Sequence, residues 1–230
     1  YIKSLKEKVD RSANIVVVGG GFIGVEVAEQ IGKVPGKTVS LIEVEKYCLN
    51  KVFSEKLCRV AEEAIINTNI QVHTNTRIEE ILAEKGKAIG VKLADGKEIQ
   101  ADLVIMATGY RPNTALAEKA GVELSRTGAI RVDRYMRTTA RDICAVGDCS
   151  ETVGFITGVE TNVMLASTAT AEARILAYNL FKIKIERHFP GTIGVFSTQV
   201  NGLTMAAAGL NERKAASAKI DYISGCFNDV

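Results

Sequence analysis

The chain has no excess of charge of either sign. Twenty-nine Lys and Arg stand against 27 Asp and Glu, a formal net charge of +2, and the two signs are interleaved. That is too weak and too mixed a field to attract nucleic acid or an anionic membrane surface, so neither is expected as a partner. There is no apolar run long enough to cross a bilayer and no basic-then-apolar leader, so no membrane or secretion signal is read. The five cysteines (Cys48, Cys58, Cys144, Cys149, Cys226) are odd in number, dispersed and free of any C-x-x-C pair. They therefore indicate neither a disulfide framework nor a zinc site, and a reducing, cytoplasmic setting is expected. The two histidines, His73 and His188, have no partner motif, and no Ser-His-Asp arrangement or metal cluster is visible. Internal repeats and low-complexity segments are absent as well. What remains is an ordinary globular composition, 230 residues with 47% hydrophobic and 24% charged, able to bury a real core. At that length it is short for an enzyme with separate cofactor and substrate domains, and it starts Tyr1-Ile2-Lys3 without methionine, so it is expected to be an internal piece of a longer protein.

The pattern along the chain is that of alternating strands and helices. Residues 1–12 carry Ile2, Leu5 and Val9 at helical spacing and read as a short lead-in helix. Asn14 to Val18 is a continuous β-branched run, the mark of a strand buried on both faces, and it enters Gly19-Gly20-Gly21 directly. Phe22 to Lys33 follows as a helix, Pro35-Gly36 as a turn, and Lys37 to Val44 as a second strand. This makes a βαβ unit, whose crossover hand makes the strands parallel. A helix over Phe53 to Ile66 and a strand over Asn69 to His73 come next. Between Arg77 and Met106 the period changes to alternation, with turns at Lys85-Gly86-Lys87 and Asp95-Gly96, which predicts an antiparallel meander closing on the strand Leu103 to Ala107. Beyond Pro112 a helix (Leu116 to Ala120), strands (Ala129 to Val132 and Ile143 to Val146) and a longer helix (about Met164 to Leu180) are expected. Pro190-Gly191 marks a boundary before a further α+β element.

Gly19, Gly21 and Gly24 satisfy G-x-G-x-x-G, a weak signal alone. Here a β-branched strand enters it, a helix leaves it, and Glu43 stands nineteen residues beyond Gly24 at the end of the next strand, which together make a strong dinucleotide-site signal. Gly19 makes the tight turn, Gly21 leaves the pyrophosphate room to approach the backbone, and Gly24 lets the helix pack on the strand. The helix N-terminus offers free N–H groups and a positive dipole end to phosphate. Glu43 accepts hydrogen bonds from the adenosine ribose hydroxyls, and with Glu45 beside it a 2′-phosphate is repelled, so NADH is expected over NADPH.

Three segments in order, VVVGGGFIGVEVAE (Val16 to Glu29), IMATGYRPNTALAEKAG (Ile105 to Gly121) and TTARDICAVGDCSE (Thr138 to Glu151), resemble consecutive signatures of the pyridine nucleotide-disulfide oxidoreductases. The wording is most similar to the branch of NADH oxidases, coenzyme A disulfide reductases and NADH-dependent persulfide or polysulfide reductases. The resemblance implies an α/β fold with a Rossmann-like parallel sheet and an antiparallel meander, followed by part of an α+β dimerisation domain. It implies residues 1–12 as a lead-in, 13–112 as an NAD domain, 113–189 as the second half of an FAD domain, and 190–230 as the start of a truncated dimerisation domain. Phe22, Ile23, Glu26 and Gly109 then join Gly19, Gly21, Gly24 and Glu43 around NADH, with Glu26 near the junction of nicotinamide and flavin. Gly147 and Asp148 meet the FAD ribityl chain, and the helix that starts near Leu165 and Ala166 points its dipole at the flavin pyrimidine edge.

The same resemblance places the first FAD-binding glycine motif and the redox cysteine before the NAD domain, and no second G-x-G-x-x-G occurs in the sequence. Cys144 and Cys149 have the gap of a redox pair but fall within an FAD signature, and are read as packing cysteines; Cys48 and Cys58 are read as buried or incidental. The implied activity is transfer of hydride from NADH to FAD and on to a small-molecule acceptor (oxygen, a disulfide or a sulfur species) in an intact homodimer. The chain itself is expected to bind NADH weakly, with no flavin absorbance and negligible turnover. A reductase of rubredoxin or ferredoxin and a non-catalytic NAD-binding regulatory module remain as alternatives.

Overall fold

The computed structural model describes residues 2–181 and 187–227. In chain order these form α1 (Ile2–Arg11), β1 (Asn14–Val18), α2 (Phe22–Gly32), β2 (Thr38–Ile42), α3 (Glu55–Ile66), β3 (Ile70–His73), β4 (Ile78–Glu84), β5 (Lys87–Leu93), β6 (Glu98–Gln100), β7 (Leu103–Met106), α4 (Ala115–Lys119), β8 (Thr152–Val153), β9 (Glu160–Thr161), α5 (Ala166–Leu180), β10 (Val195–Val200), β11 (Leu203–Ala208) and α6 (Glu212–Ser217). They divide into two units, one comprising residues up to Gly109 with Phe196–Ala207 and Asn211–Arg213, the other the remainder.

The first unit is built on a parallel sheet in the order β3-β2-β1-β7. β1 lies in register with both neighbours, Val17 opposite Leu41 on one side and Ile105 on the other. The unbroken β-branched run of β1 is explained by two covered faces. Ile15 and Val17 point into a core shared with Val25, Ala28 and Ile31 of α2 and Ala61 and Ile65 of α3. Val16 and Val18 point the other way, onto Val91 and Leu93 of the antiparallel sheet β4-β5-β6 and Ala101 just beyond it. Burial of each such side chain contributes about 1.5–3 kcal/mol, so β1 anchors the glycine turn at its end firmly in the core. At its other end Asp102 accepts hydrogen bonds from the N–H groups of Ala13 (2.9 Å) and Asn14 (2.8 Å), and the Lys37 ammonium caps the end of α1 on the carbonyls of Val9, Asp10 and Ser12.

The hairpin β10-β11 belongs to this unit. Val200 and Met205 are buried in the same core as β1 and α2, and Glu29 of α2 accepts a hydrogen bond from the Asn201 N–H at 2.7 Å while pairing with Lys33. The sequence reading assigned these residues to a separate element from Pro190 onward. Alternating burial of Thr198 and Val200 instead lays the hairpin onto α2, and chain order alone does not show that return.

In the second unit, α5 is the main helix and β8-β9 a minimal hairpin. The strands expected over Ala129 to Val132 and Ile143 to Val146 are not regular strands. Their pairing is reduced to isolated bridges: Ile130 with Leu124 and Ser150, Val132 with Thr138, and Arg137 with Cys144. Met136 (φ 68°) and Asp142 (φ 63°) turn the backbone between them and Gly147 (φ 84°) turns it directly after the second, so no ladder extends. Val122, Ile130 and Ala145 still form a small core, with Cys149 packed against it.

Candidate dinucleotide site

β1 delivers the chain into the turn at its C-terminal edge, the position where parallel sheets present ligands. Gly19 has φ +107°, and a Cβ on it would lie 2.5 Å from the Ala107 carbonyl oxygen at the end of β7. Its N–H donates to the Ile42 carbonyl (2.7 Å), so the turn is tied to both neighbouring strands. A Cβ on Gly24 would lie 1.8 Å from the Gly19 carbonyl oxygen, so α2 can rest against the turn only without a side chain there. Gly21 is different. Nothing lies within 4 Å of where its Cβ would be, and its backbone is extended at the N-cap of α2. The open space therefore faces a helix N-terminus that has no capping side chain and no acidic residue in its first turn. Unsatisfied first-turn N–H groups beside open space suit a phosphate.

Glu43 follows β2 and is preorganised. Its Oε2 accepts the Gly20 N–H at 2.5 Å and its Oε1 the Glu45 N–H at 2.8 Å. Each carboxylate oxygen can take more than one donor, so the pair remains available to hydroxyl groups while its direction is fixed. Gly20, which the sequence reading passed over, is thus a site residue. Its N–H aims Glu43, and a Cβ on it would lie 2.7 Å from the Cys48 sulfur and 3.0 Å from Glu43 itself. Three consecutive glycines where the motif needs two were the available signal.

The other expected NADH residues sort differently. Ile23 is 55% exposed at the helix start. The Phe22 ring packs against Phe53 (centroids 5.9 Å apart) and Phe196 (5.7 Å), so only its backbone faces the turn. Glu26 is exposed and accepts a hydrogen bond from the Thr198 hydroxyl at 2.9 Å, a contact that chain order does not suggest. Gly109, with φ +104°, is exposed at the end of this unit.

In the second unit Gly147 (φ +84°) precedes the exposed Asp148, and Leu165 caps α5 with extended backbone, no side-chain cap and no acid in the first turn, with Ala166 the first helical residue. The residues expected at FAD thus present a positive helix end and an exposed carboxylate, a set compatible with the flavin. Behind them lies Glu172, which the sequence reading also passed over. It is fully buried; its Oε2 accepts the Gly147 N–H at 2.7 Å and lies 3.0 Å from the Ser150 hydroxyl, while its Oε1 has no partner among the described residues. A lone acid in an otherwise acid-free helix was its sequence signal.

Burial pushes the Glu172 carboxyl above its ordinary range, against the bonds from Gly147 and Ser150. A raised carboxyl pKa means that the folded state holds the proton more tightly than the unfolded one, so the contribution of Glu172 to stability is greatest at acid pH and is lost as pH rises through its folded pKa. Glu172→Gln, which keeps an acceptor for Gly147, is expected to flatten this decline and to match or exceed the native thermal midpoint at pH 7, measured by melting across pH 4.5–7.5.

None of the five thiols is in a disulfide. Burial raises both Cys48 and Cys58, the latter to about 11, so neither is a thiolate at neutral pH. His188 is exposed, and the Nε2 of His73 is buried without a hydrogen-bond partner among the described residues. Among the described residues no group of three or more His, Cys, Asp or Glu could hold a metal ion, and no helix is long and apolar enough to cross a membrane.

The chain is 33% identical over 210 residues to an NAD(P)H coenzyme A polysulfide/persulfide reductase of Pyrococcus horikoshii, covering 90% of the chain and 45% of that protein. It superposes on a NAD-dependent persulfide reductase from A. fulgidus with a TM-score of 0.90 at 35% identity, covering 96% of the chain and 40% of that structure. It also superposes on a water-forming NADH oxidase from Lactobacillus brevis bound to NADH, with a TM-score of 0.86 at 27% identity, covering 95% of the chain and 47% of that structure. The chain thus spans about half the length of the relatives it matches. An FAD-dependent pyridine nucleotide-disulphide oxidoreductase from Desulfovibrio vulgaris superposes with a TM-score of 0.83 at 32% identity, covering 90% of the chain and 51% of that structure. Residues 2–173 match the family described as pyridine nucleotide-disulphide oxidoreductase, and the chain belongs to that family.

Proposed function

We propose that the chain forms the NADH-binding part of an FAD-dependent oxidoreductase that takes hydride from NADH and passes electrons to a small acceptor. The observation that carries this reading is the first unit's turn. Gly19 and Gly24 close it sterically, Gly21 stays open at an uncapped helix start, and Glu43 is held by two backbone N–H groups. The Phe22, Ile23 and Gly24 amides of α2 hold the pyrophosphate, Glu43 the adenosine ribose, and Glu26 and Gly109 the nicotinamide end. Residues 13–112 are the core of this NAD domain. Gly147, Asp148, Leu165 and Ala166, in residues 113–189, contribute to the FAD site, with Glu172 behind them, and residues 190–230 open a dimerisation domain whose first hairpin packs against α2.

When bound, the two cofactors supply the hydride chemistry, and the protein supplies position and electrostatics. The polysulfide/persulfide and NADH oxidase activities of the relatives support oxygen or a sulfur species as acceptor. The free thiols support a reducing, cytoplasmic setting, and a homodimer in the intact protein follows from the assignment of the C-terminal segment.

Gly21→Ala tests the reading. Nothing among the described residues meets the new methyl group, so the unfolding free energy is expected to stay within about 0.5 kcal/mol of native while NADH affinity drops about tenfold or more, read by titration of NADH fluorescence. Unchanged affinity in the folded variant contradicts a pyrophosphate at this turn.

A further inference from the structure

The direction of Glu43 depends on a chain of contacts that reaches α3. Gly20 donates its N–H to Glu43, and its carbonyl accepts the Leu49 N–H at 2.8 Å. The two peptide groups that flank the Gly20 Cα are thereby engaged, the one before it by Glu43 and the one after it by Leu49. Leu49 holds φ +59°, a left-handed conformation that a γ-branched residue adopts only when its surroundings impose it. The Val52 and Phe53 N–H groups donate to its carbonyl on one side, and the residue before it is fixed on the other. Cys48 is fully buried beneath Gly20, and its N–H donates to Oε1 of Glu62 at 2.8 Å. Glu62 lies on the third turn of α3, half-buried, and burial raises its carboxyl pKa against the opposing bond from Cys48 and the charge of Arg59. A carboxylate kept at that desolvation cost has one short main-chain donor, and that donor belongs to the loop under the glycine turn.

We propose that Glu62 is a positioning residue for the dinucleotide site, one that sets NADH affinity and the preference for NADH over NADPH without touching the cofactor. Its carboxylate holds the Cys48 N–H; this helps keep Leu49 in its left-handed turn, Leu49 holds the Gly20–Gly21 peptide, and this fixes the backbone at the Gly20 Cα, whose N–H keeps Glu43 aimed at the ribose. Loss of the first contact lets Leu49 relax toward ordinary backbone, frees the Gly20–Gly21 peptide to rotate about the Gly20 Cα, and leaves Glu43 held by the Glu45 N–H alone. The ribose then loses a preorganised acceptor, while a 2′-phosphate meets a carboxylate that can swing away. The inference rests on the proposed role of Glu43.

The experiment is a set of titrations of the chain with NADH and NADPH, followed by nicotinamide fluorescence, with folding checked by circular dichroism. Glu62→Ala is expected to weaken NADH about tenfold and NADPH much less, so that the preference narrows. Glu62→Gln, which keeps a carbonyl acceptor for Cys48, is expected to stay within about twofold of native. In a Glu43→Gln background, Glu62→Ala is expected to add little, because the two residues act in one chain. If Glu62→Ala does not fold, Glu62→Asp, whose carboxylate is drawn back by one methylene, carries the same expectations. Native discrimination in Glu62→Ala, or a proportional loss for both nucleotides, overturns the inference while leaving the role of Glu43 intact. A native chain that binds neither nucleotide overturns both.

Discussion

Gly24→Ala is expected to cost the first unit about 3 kcal/mol or more, the largest single effect in the molecule, and to lower its thermal midpoint by at least about 12 °C. The added methyl carbon would lie 1.8 Å from the Gly19 carbonyl oxygen, and the neighbouring contact is main chain, so no side-chain rotation relieves it. Separation to normal contact requires α2 to lift from β1 by more than 1 Å. Val25, Ala28 and Ile31 would then withdraw from a core in which Ile15, Val17 and Leu41 are fully buried, and close-packed interiors do not yield by that distance without loss of contact. Thermal melting followed by circular dichroism measures the effect. The contrast with Gly21→Ala matters most: the same substitution three residues apart destroys packing in one case and spares it in the other. A Gly24→Ala variant that melts like the native chain would show that α2 does not rest on the turn as described.

Glu43→Arg is expected to invert cofactor preference, moving the ratio of NADH to NADPH affinity by about a hundredfold, equivalent to about 2.8 kcal/mol. Two changes add. The ribose loses an acceptor that is held in place by the Gly20 and Glu45 N–H groups, and the 2′-phosphate, repelled by the native carboxylate, gains a guanidinium that can engage it bidentately. Glu43→Gln separates the contributions. It removes the repulsion but keeps a carbonyl for Gly20, so its ratio is expected between the two. Titration of each variant with both nucleotides decides the matter, and an unchanged ratio in Glu43→Arg would remove Glu43 from the site.

These effects follow from features that differ in how openly the sequence displays them. The β-branched run of β1, the glycine spacing and the distance to Glu43 are local patterns, and the parallel sheet and its meander follow from them. The second unit was harder to read. Ala129 to Val132 and Ile143 to Val146 have strand composition, yet left-handed turns at Met136, Asp142 and Gly147 stop their ladders at single bridges, and two of those three residues are not glycine. The hairpin at Val195 to Ala208 was hidden for another reason. Its contacts with Glu26 and Glu29 join residues 172 positions apart, and no local period reports a contact of that kind. Gly20 and Glu172 carry no motif of their own. Each acts through a main-chain N–H, Gly20 by donating its own to Glu43 and Glu172 by accepting that of Gly147, and main-chain geometry is what sequence pattern reports least directly.

The central claim is that the turn between β1 and α2, with Glu43, is an NADH site selective against the 2′-phosphate. Parallel titrations of the native chain with NADH and NADPH, at fixed ionic strength and neutral pH, test it most directly. The account predicts saturable NADH binding and NADPH binding at least tenfold weaker. Equal affinities, or no saturable binding of NADH, would contradict it.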